Sequence, residues 1–202
     1  MKERFDKLLE ESPIIAILRG ITNGEVIDVC QTLYDNGIRV MEIPLNSPTP
    51  FESIRIAAGN FGDKMAIGAG TVLTVEDARK VKAAGGTFCV SPNTDSEVIR
   101  EVKSLGMLSV PGFFTASEGF AALKAGADYL KLFPACLGTS YIKDLQAVIK
   151  APIVAVGGVN ADNMAEFLKF CPAVGIGSAI YKAGKPLDVL ANDVKNLMQK
   201  IR

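Results

Sequence analysis

Short apolar runs alternate with longer helix-patterned stretches from one end of the chain to the other, and this alternation narrows the choice of fold more than any other feature. The strand candidates are Ile14–Leu18, Arg39–Ile43, Met65–Ala69, Thr87–Ser91, Leu108–Pro111, Tyr129–Phe133, Ile153–Gly157 and Ala173–Gly177. Helical patterns lie between them, among them Gly24–Asn36, Val75–Ala84, Asp95–Leu105, Thr115–Ala125, Tyr141–Ile149 and Asn160–Phe170. Gly37, Gly85, Gly106 and Gly126 each follow a helical pattern, where a left-handed residue closes the last turn. Thr74, Asn93 or Thr94, Thr115 or Ser117, and Asn160 are candidate N-caps. The strands are apolar nearly throughout, as parallel strands covered on both faces must be. Eight such units in 202 residues, about 25 residues each, predict a (β/α)8 TIM barrel spanning residues 1–202 as one domain. The charged, amphipathic first dozen residues are expected to form an extra N-terminal helix outside the barrel proper. A doubly wound open sheet would alternate similarly, but it calls for a glycine-rich dinucleotide turn after the first strand. That turn here reads Leu18-Arg19-Gly20-Ile21-Thr22.

Charge and composition exclude several functions. Lys plus Arg (22) equals Asp plus Glu (22), so no basic surface invites nucleic acid or an acidic membrane. No run approaches the roughly 18 apolar residues of a membrane span, and the start of the chain does not read as a secretory signal. Cys30, Cys89, Cys136 and Cys171 are widely spaced in apolar contexts without a C-x-x-C pair, and are expected to be reduced core thiols of a cytoplasmic protein. The sequence contains no histidine. Mechanisms that need a histidine base or ligand are therefore excluded, and no metal or other cofactor is expected.

In a TIM barrel the residues that carry chemistry gather at the C-terminal ends of the strands. Lys131, between Leu130 and Leu132, lies in a run apolar enough to be a buried strand. An ammonium deprived of water loses its proton more easily, and the neutral amine is the nucleophile that condenses with carbonyl substrates. The competing reading is a strand-end lysine whose head reaches solvent. Glu42 interrupts the second strand, and period-two alternation turns both Glu42 and Lys131 into the barrel, opposite the aliphatic faces. A buried ion pair kept for stability is the weaker explanation, because such a pair rarely stabilises more than apolar residues of the same volume. Gly157-Gly158 and Gly177-Ser178 end the last two strands, where backbone N–H groups of many barrels receive a phosphate. Arg19 ends the first strand and suits a carboxylate or a phosphate equally. Thr71, in Gly70-Thr71-Val72, can offer a hydroxyl to a carboxylate; Thr74 is the better helix cap.

These residues stand in a series of motifs: Ile15-Ala16-Ile17-Leu18-Arg19-Gly20, Val40-Met41-Glu42-Ile43, Ile67-Gly68-Ala69-Gly70-Thr71-Val72-Leu73, Ser91-Pro92-Asn93, Val110-Pro111-Gly112, Lys131-Leu132-Phe133-Pro134-Ala135 and Gly157-Gly158-Val159. In that order, over essentially the full length, the chain resembles the class I aldolases of 2-keto-3-deoxy-6-phospho sugar acids. The resemblance implies a homotrimeric barrel, Lys131 as the Schiff-base lysine and Glu42 as general acid and base. The substrate would be a small phosphorylated keto acid, without nucleic-acid or membrane partners. Glu42-Ile43-Pro44-Leu45-Asn46-Ser47-Pro48, together with Val156 ahead of Gly157-Gly158, looks like the phosphogalactonate branch; the phosphogluconate branch carries an arginine where Asn46 stands and a threonine in place of Val156. Phosphogluconate or dual specificity (4-hydroxy-2-oxoglutarate included) is the neighbouring alternative. A phosphosugar isomerase or epimerase using Glu42 as base, and a non-catalytic barrel binding a phosphorylated ligand, remain as readings from other classes.

Overall fold

A computed structural model describes residues 1–201. Nine strands run parallel: β1 (Ile14–Ile17), β2 (Val40–Pro44), β3 (Ala66–Gly70), β4 (Phe88–Val90), β5 (Leu108–Val110), β6 (Gly112–Phe113), β7 (Leu130–Leu132), β8 (Ile153–Val156) and β9 (Ala173–Ile176). They pair in the order β5-β4-β3-β2-β1-β9-β8-β7-β6. The two ends of that order, β5 and β6, are successive segments of one strand interrupted at Pro111, which has no N–H to give to a ladder. Across the join, Tyr129 N–H donates to the Ser109 carbonyl (3.3 Å) and Lys131 N–H to that of Pro111 (2.8 Å). Eight barrel positions thus form a nearly closed TIM-like ring, as the alternation predicts. Around it lie α2 (Val26–Asp35), α3 (Pro50–Phe61), α4 (Val75–Ala83), α5 (Ser96–Ser104), α6 (Ala116–Ala125), α7 (Gly138–Val148), α8 (Met164–Leu168) and α9 (Leu187–Gln199).

The period-two pattern separates two apolar clusters. Outward residues such as Ile14, Ala16, Met41, Ile43, Leu130, Leu132, Ala155 and Val174 pack under the helices. Inward residues, among them Ile15, Val40, Phe88, Val110, Tyr129 and Val154, fill the barrel. The extra helix α1 (Lys2–Glu11) lies at the end of the barrel where the strands begin. Its Phe5, Leu8 and Leu9 belong to the interior cluster. The Phe5 ring packs 5.0 Å from Phe88 and 5.4 Å from Tyr129, centroid to centroid. The Arg4 guanidinium donates to the carbonyls of Gly62 (2.7 Å) and Met65 (3.3 Å), and the Tyr129 hydroxyl donates to Asp6.

Several local expectations need correction. Helix α8 covers only Met164–Leu168 of the expected Asn160–Phe170. The cause is side-chain capture of the preceding backbone: Asp162 N–H donates to Asn160 Oδ1 (2.8 Å) and Asn160 N–H to Asn163 Oδ1 (2.9 Å). The cap of α5 is Asp95, whose carboxylate accepts from Glu97 and Val98 N–H; Thr94 instead gives its hydroxyl to the Gly112 carbonyl. Thr74 and Thr115 form capping boxes with Asp77 and Glu118. Cys30, Cys89 and Cys171 are buried, but Cys136 is exposed, because the turn leaving β7 carries it away from the core.

With Phe5 truncated, the lower end of the barrel loses a ring that is 2% exposed. Phe5→Ala should cost about 3 kcal/mol and leave the opposite mouth unchanged. Urea unfolding measures it; a loss under ~1 kcal/mol would show that α1 is not part of the core.

Candidate active site

At the end of the barrel where the strands finish, one cavity of about 850 Å³ is lined by every residue picked from the sequence: Arg19, Glu42, Thr71, Lys131, Gly157, Gly158, Gly177 and Ser178. Parallel register places them together. β7 sets Lys131 beside Gly112 and Val154, and β2 sets Glu42 beside Ile17 and Gly68. Both side chains rise from the apolar interior, Lys131 with 8% and Glu42 with 3% of its surface exposed. Beneath them the wall is aliphatic: Ile15, Ile17, Val90, Val110, Val154 and Val156.

Glu42 is held without being neutralised. A Cβ at Gly70 would strike its carboxylate, so glycine is what allows the group to lie against β3. Its Oε2 is buried without a hydrogen-bond partner among the described residues, and no ion pair with Lys131 forms within 4.0 Å. Burial therefore pushes the Glu42 carboxyl up to about 7, against the opposing pull of Lys131 and Arg19. Burial lowers the Lys131 ammonium; Glu42 raises it and Arg19 lowers it further. The Lys131 Nζ lies 4.6 Å from the centroid of the Phe133 ring. Burial thus favours the uncharged form of both groups, the neutral carboxyl of Glu42 and the neutral amine of Lys131.

The rest of the rim divides by charge and by donors. Thr71, the residue after β3, adopts a left-handed φ of 56°, unusual for a β-branched residue. Gly157 and Gly158 also have positive φ (96° and 79°), and a Cβ on Gly157 would lie 3.3 Å from the Phe133 ring. The N–H groups of Gly157, Gly158, Ser178 and Ala179 donate to no other group among the described residues. All four residues line the cavity, where N–H groups without a protein partner are available to an anion.

Pattern reading missed Asn46 as a partner of Arg19, and Tyr181 and Lys182 as lining residues. Glu25 explains the last two. Its carboxylate accepts from the Thr22 hydroxyl (2.5 Å), the Tyr181 hydroxyl (3.2 Å) and Gly184 N–H (3.2 Å), fastening the segment after β9 to the turn after β1. Lys182, next in sequence to Tyr181, lines the same cavity as Ser178. Asn46 and Val156 line the cavity, whereas Pro44, also in the branch motif, is not among its lining residues.

Comparison with known proteins bears on this arrangement. The family model described as KDPG and KHG aldolase matches residues 5–199. The 2-dehydro-3-deoxy-6-phosphogalactonate aldolase of Escherichia coli (strain K12) is 42% identical over 194 residues, 94% of this chain and 95% of that protein. The solved native KDPGal structure superposes with a TM-score of 0.91 at 42% identity, covering 93% of each chain. At 25% identity and a TM-score of 0.83, over 97% of this chain and 95% of the other, the KDPG aldolase of Legionella pneumophila holds pyruvate as a covalent carbinolamine.

The raised Glu42 pKa has a consequence for stability. A carboxyl that ionises at 4.5 when exposed and at about 7 when folded binds more protons in the folded state between those values. Stability therefore falls as pH rises through that window and levels off above it. Glu42→Gln removes the group, so it should be more stabilising at pH 8 than at pH 4, by about 3 kcal/mol between the two limits. Urea midpoints at both pH values test this; an equal effect at both would contradict the raised pKa.

Proposed function

Because this chain belongs to the KDPG and KHG aldolase family, we propose that it is a class I Schiff-base aldolase, a carbon–carbon lyase that cleaves 2-dehydro-3-deoxy-6-phosphogalactonate to pyruvate and D-glyceraldehyde 3-phosphate. The observation that carries this reading is Lys131, nearly buried at the mouth of a barrel that also holds Glu42, whose Oε2 is buried without a hydrogen-bond partner among the described residues. The covalent pyruvate adduct of the Legionella relative supports an amine nucleophile in this family.

Neutral Lys131 adds to carbon 2 of the keto acid, and loss of water from the carbinolamine leaves a protonated imine. Glu42 moves protons in both steps, directly or through water, which a pKa near neutrality suits. Ionised Glu42 then takes the proton from the carbon 4 hydroxyl. The bond between carbons 3 and 4 breaks, its electrons pass to the imine, and carbon 4 leaves as the aldehyde of glyceraldehyde 3-phosphate. The remaining enamine takes a proton on carbon 3, and hydrolysis returns pyruvate and the free amine. The N–H groups of Gly157, Gly158 and Ser178, with Gly177 opening the turn, receive the phosphate, and Lys182 adds positive charge beside them. Thr71 and Arg19 serve the carboxylate end.

The galacto epimer is favoured on two grounds. Identity is 42% to the phosphogalactonate enzyme but 25–32% to curated phosphogluconate aldolases. Val156, at the cavity wall, offers no hydroxyl where a threonine would, and one unmatched buried polar group changes epimer choice by roughly 1–3 kcal/mol. A cytoplasmic homotrimer completes the reading, with exposed Leu137 and Val148 as apolar surface for assembly.

Pyruvate release from the two epimers, followed by coupling to lactate dehydrogenase, tests the assignment. A marked preference for the galacto epimer is expected; equal rates would make the enzyme dual-specific, and no release from either would contradict the aldolase reading and revive an isomerase. Glu42→Gln should lower kcat by about 10²–10⁴, and a near-normal rate would remove Glu42 from the proton steps.

A further inference from the structure

The loops after β1 and β2 run side by side over the cavity and are joined at successive positions. Arg19 Nη1 donates to Asn46 Oδ1 at 2.6 Å, and Gly20 N–H donates to Ser47 Oγ at 2.9 Å. The hydroxyls of Thr49 and Ser53 both donate to Asn23 Oδ1, at 2.9 and 2.7 Å. Ser47 is buried, and its own N–H closes a turn on the Pro44 carbonyl at 2.9 Å. Asn46 therefore stands on a fixed support although its side chain meets solvent. An exposed arginine otherwise spreads over many rotamers and must be ordered when a ligand binds. Here one hydrogen bond has already ordered it.

The direction of that bond is informative. β1 lies between β2 and β9, so Arg19 could lean toward either neighbour. Asn46 draws it to the β2 side, where Glu42 and Thr71 line the cavity, and away from the Gly177-Ser178 turn after β9. The partner is also neutral. An amide oxygen occupies one of the five guanidinium donors without cancelling the charge, leaving a fork that matches a carboxylate. We propose that Asn46 is a positioning residue: by accepting from Arg19 it commits that guanidinium to the carboxylate of the bound keto acid rather than to its phosphate. This rests on the aldolase reading and deepens it. Arg19 also acts on both reacting groups, lowering the pKa of Glu42 and of Lys131, which agrees with a place at the reacting end. Lys131 and Arg19 are the charged groups that bear on Glu42.

Pyruvate carries the carboxylate and no phosphate, so it separates the two ends of the site. In the full-length enzyme, the pyruvate dependence of borohydride inactivation gives a half-saturating concentration and a limiting rate. For Asn46→Ala the half-saturating concentration should rise about tenfold with the limiting rate nearly unchanged. Competitive inhibition by inorganic phosphate should stay as in the wild type. Asn46→Asp keeps the hydrogen bond but sets an anion against the guanidinium. It should weaken pyruvate further and move the Glu42 limb of the pH profile of kcat/KM to higher pH. Thermal melts confirm that both variants fold. A pyruvate dependence unchanged in Asn46→Ala would overturn the tether, and weakened phosphate inhibition instead would place Arg19 at the phosphate end. If the wild-type enzyme forms no trapped adduct, the aldolase reading itself fails, and the assignment of Arg19 with it.

Discussion

Desolvation of two ionisable groups that face each other without touching is the constraint on which this site depends. Lys131 and Glu42 stand where the packed interior of the barrel ends and the open cavity begins. Each is denied water from below by aliphatic side chains, and neither is neutralised by a direct ion pair. A contact ion pair would have held the lysine protonated and the glutamate ionised. Separation in a dry wall does the opposite, raising the carboxyl toward neutrality and lowering the ammonium. The backbone contributes as much as the side chains, because a single methyl group at Gly70 would remove the room in which the Glu42 carboxylate lies.

The barrel separates the support of this pair from its use. At one end α1 inserts Phe5, Leu8 and Leu9 into the interior cluster, supplying apolar contact without reaching the cavity. At the other end the loops after β1, β2 and β9 are fastened to one another through Asn46, Ser47, Asn23 and Glu25. Polar side chains thus tie together rim loops that are also anchored by buried apolar residues such as Ile21 and Ile180.

Much of this arrangement could be read from the sequence because it depends on local periodicity. A polar residue in an apolar strand points where its period-two neighbours point, so Glu42 and Lys131 could be placed inside the barrel and at its mouth. Glycines at helix ends marked the joints, and Gly37, Gly85, Gly106 and Gly126 all have positive φ. What escaped depends on contacts between loops far apart in the chain. Tyr181 meets Glu25 across 156 positions, and Arg19 meets Asn46 across 27. No periodicity encodes such pairs. Cys136 escaped for a related reason: its apolar neighbours suggested a core thiol, yet it lies in the turn that leaves β7. The shortening of α8 was set by asparagine side chains that outcompete a helical turn, a choice that local propensity alone did not decide.

The central claim is that the Lys131 amine is the nucleophile, and it is tested most directly by locating the bond. Enzyme reduced with borohydride in the presence of pyruvate should be digested and its peptides sequenced by mass spectrometry. The account predicts a reduced pyruvyl group on the Nζ of Lys131, and none in Lys131→Ala. A pyruvyl group on any other lysine, or one that persists in Lys131→Ala, would contradict it.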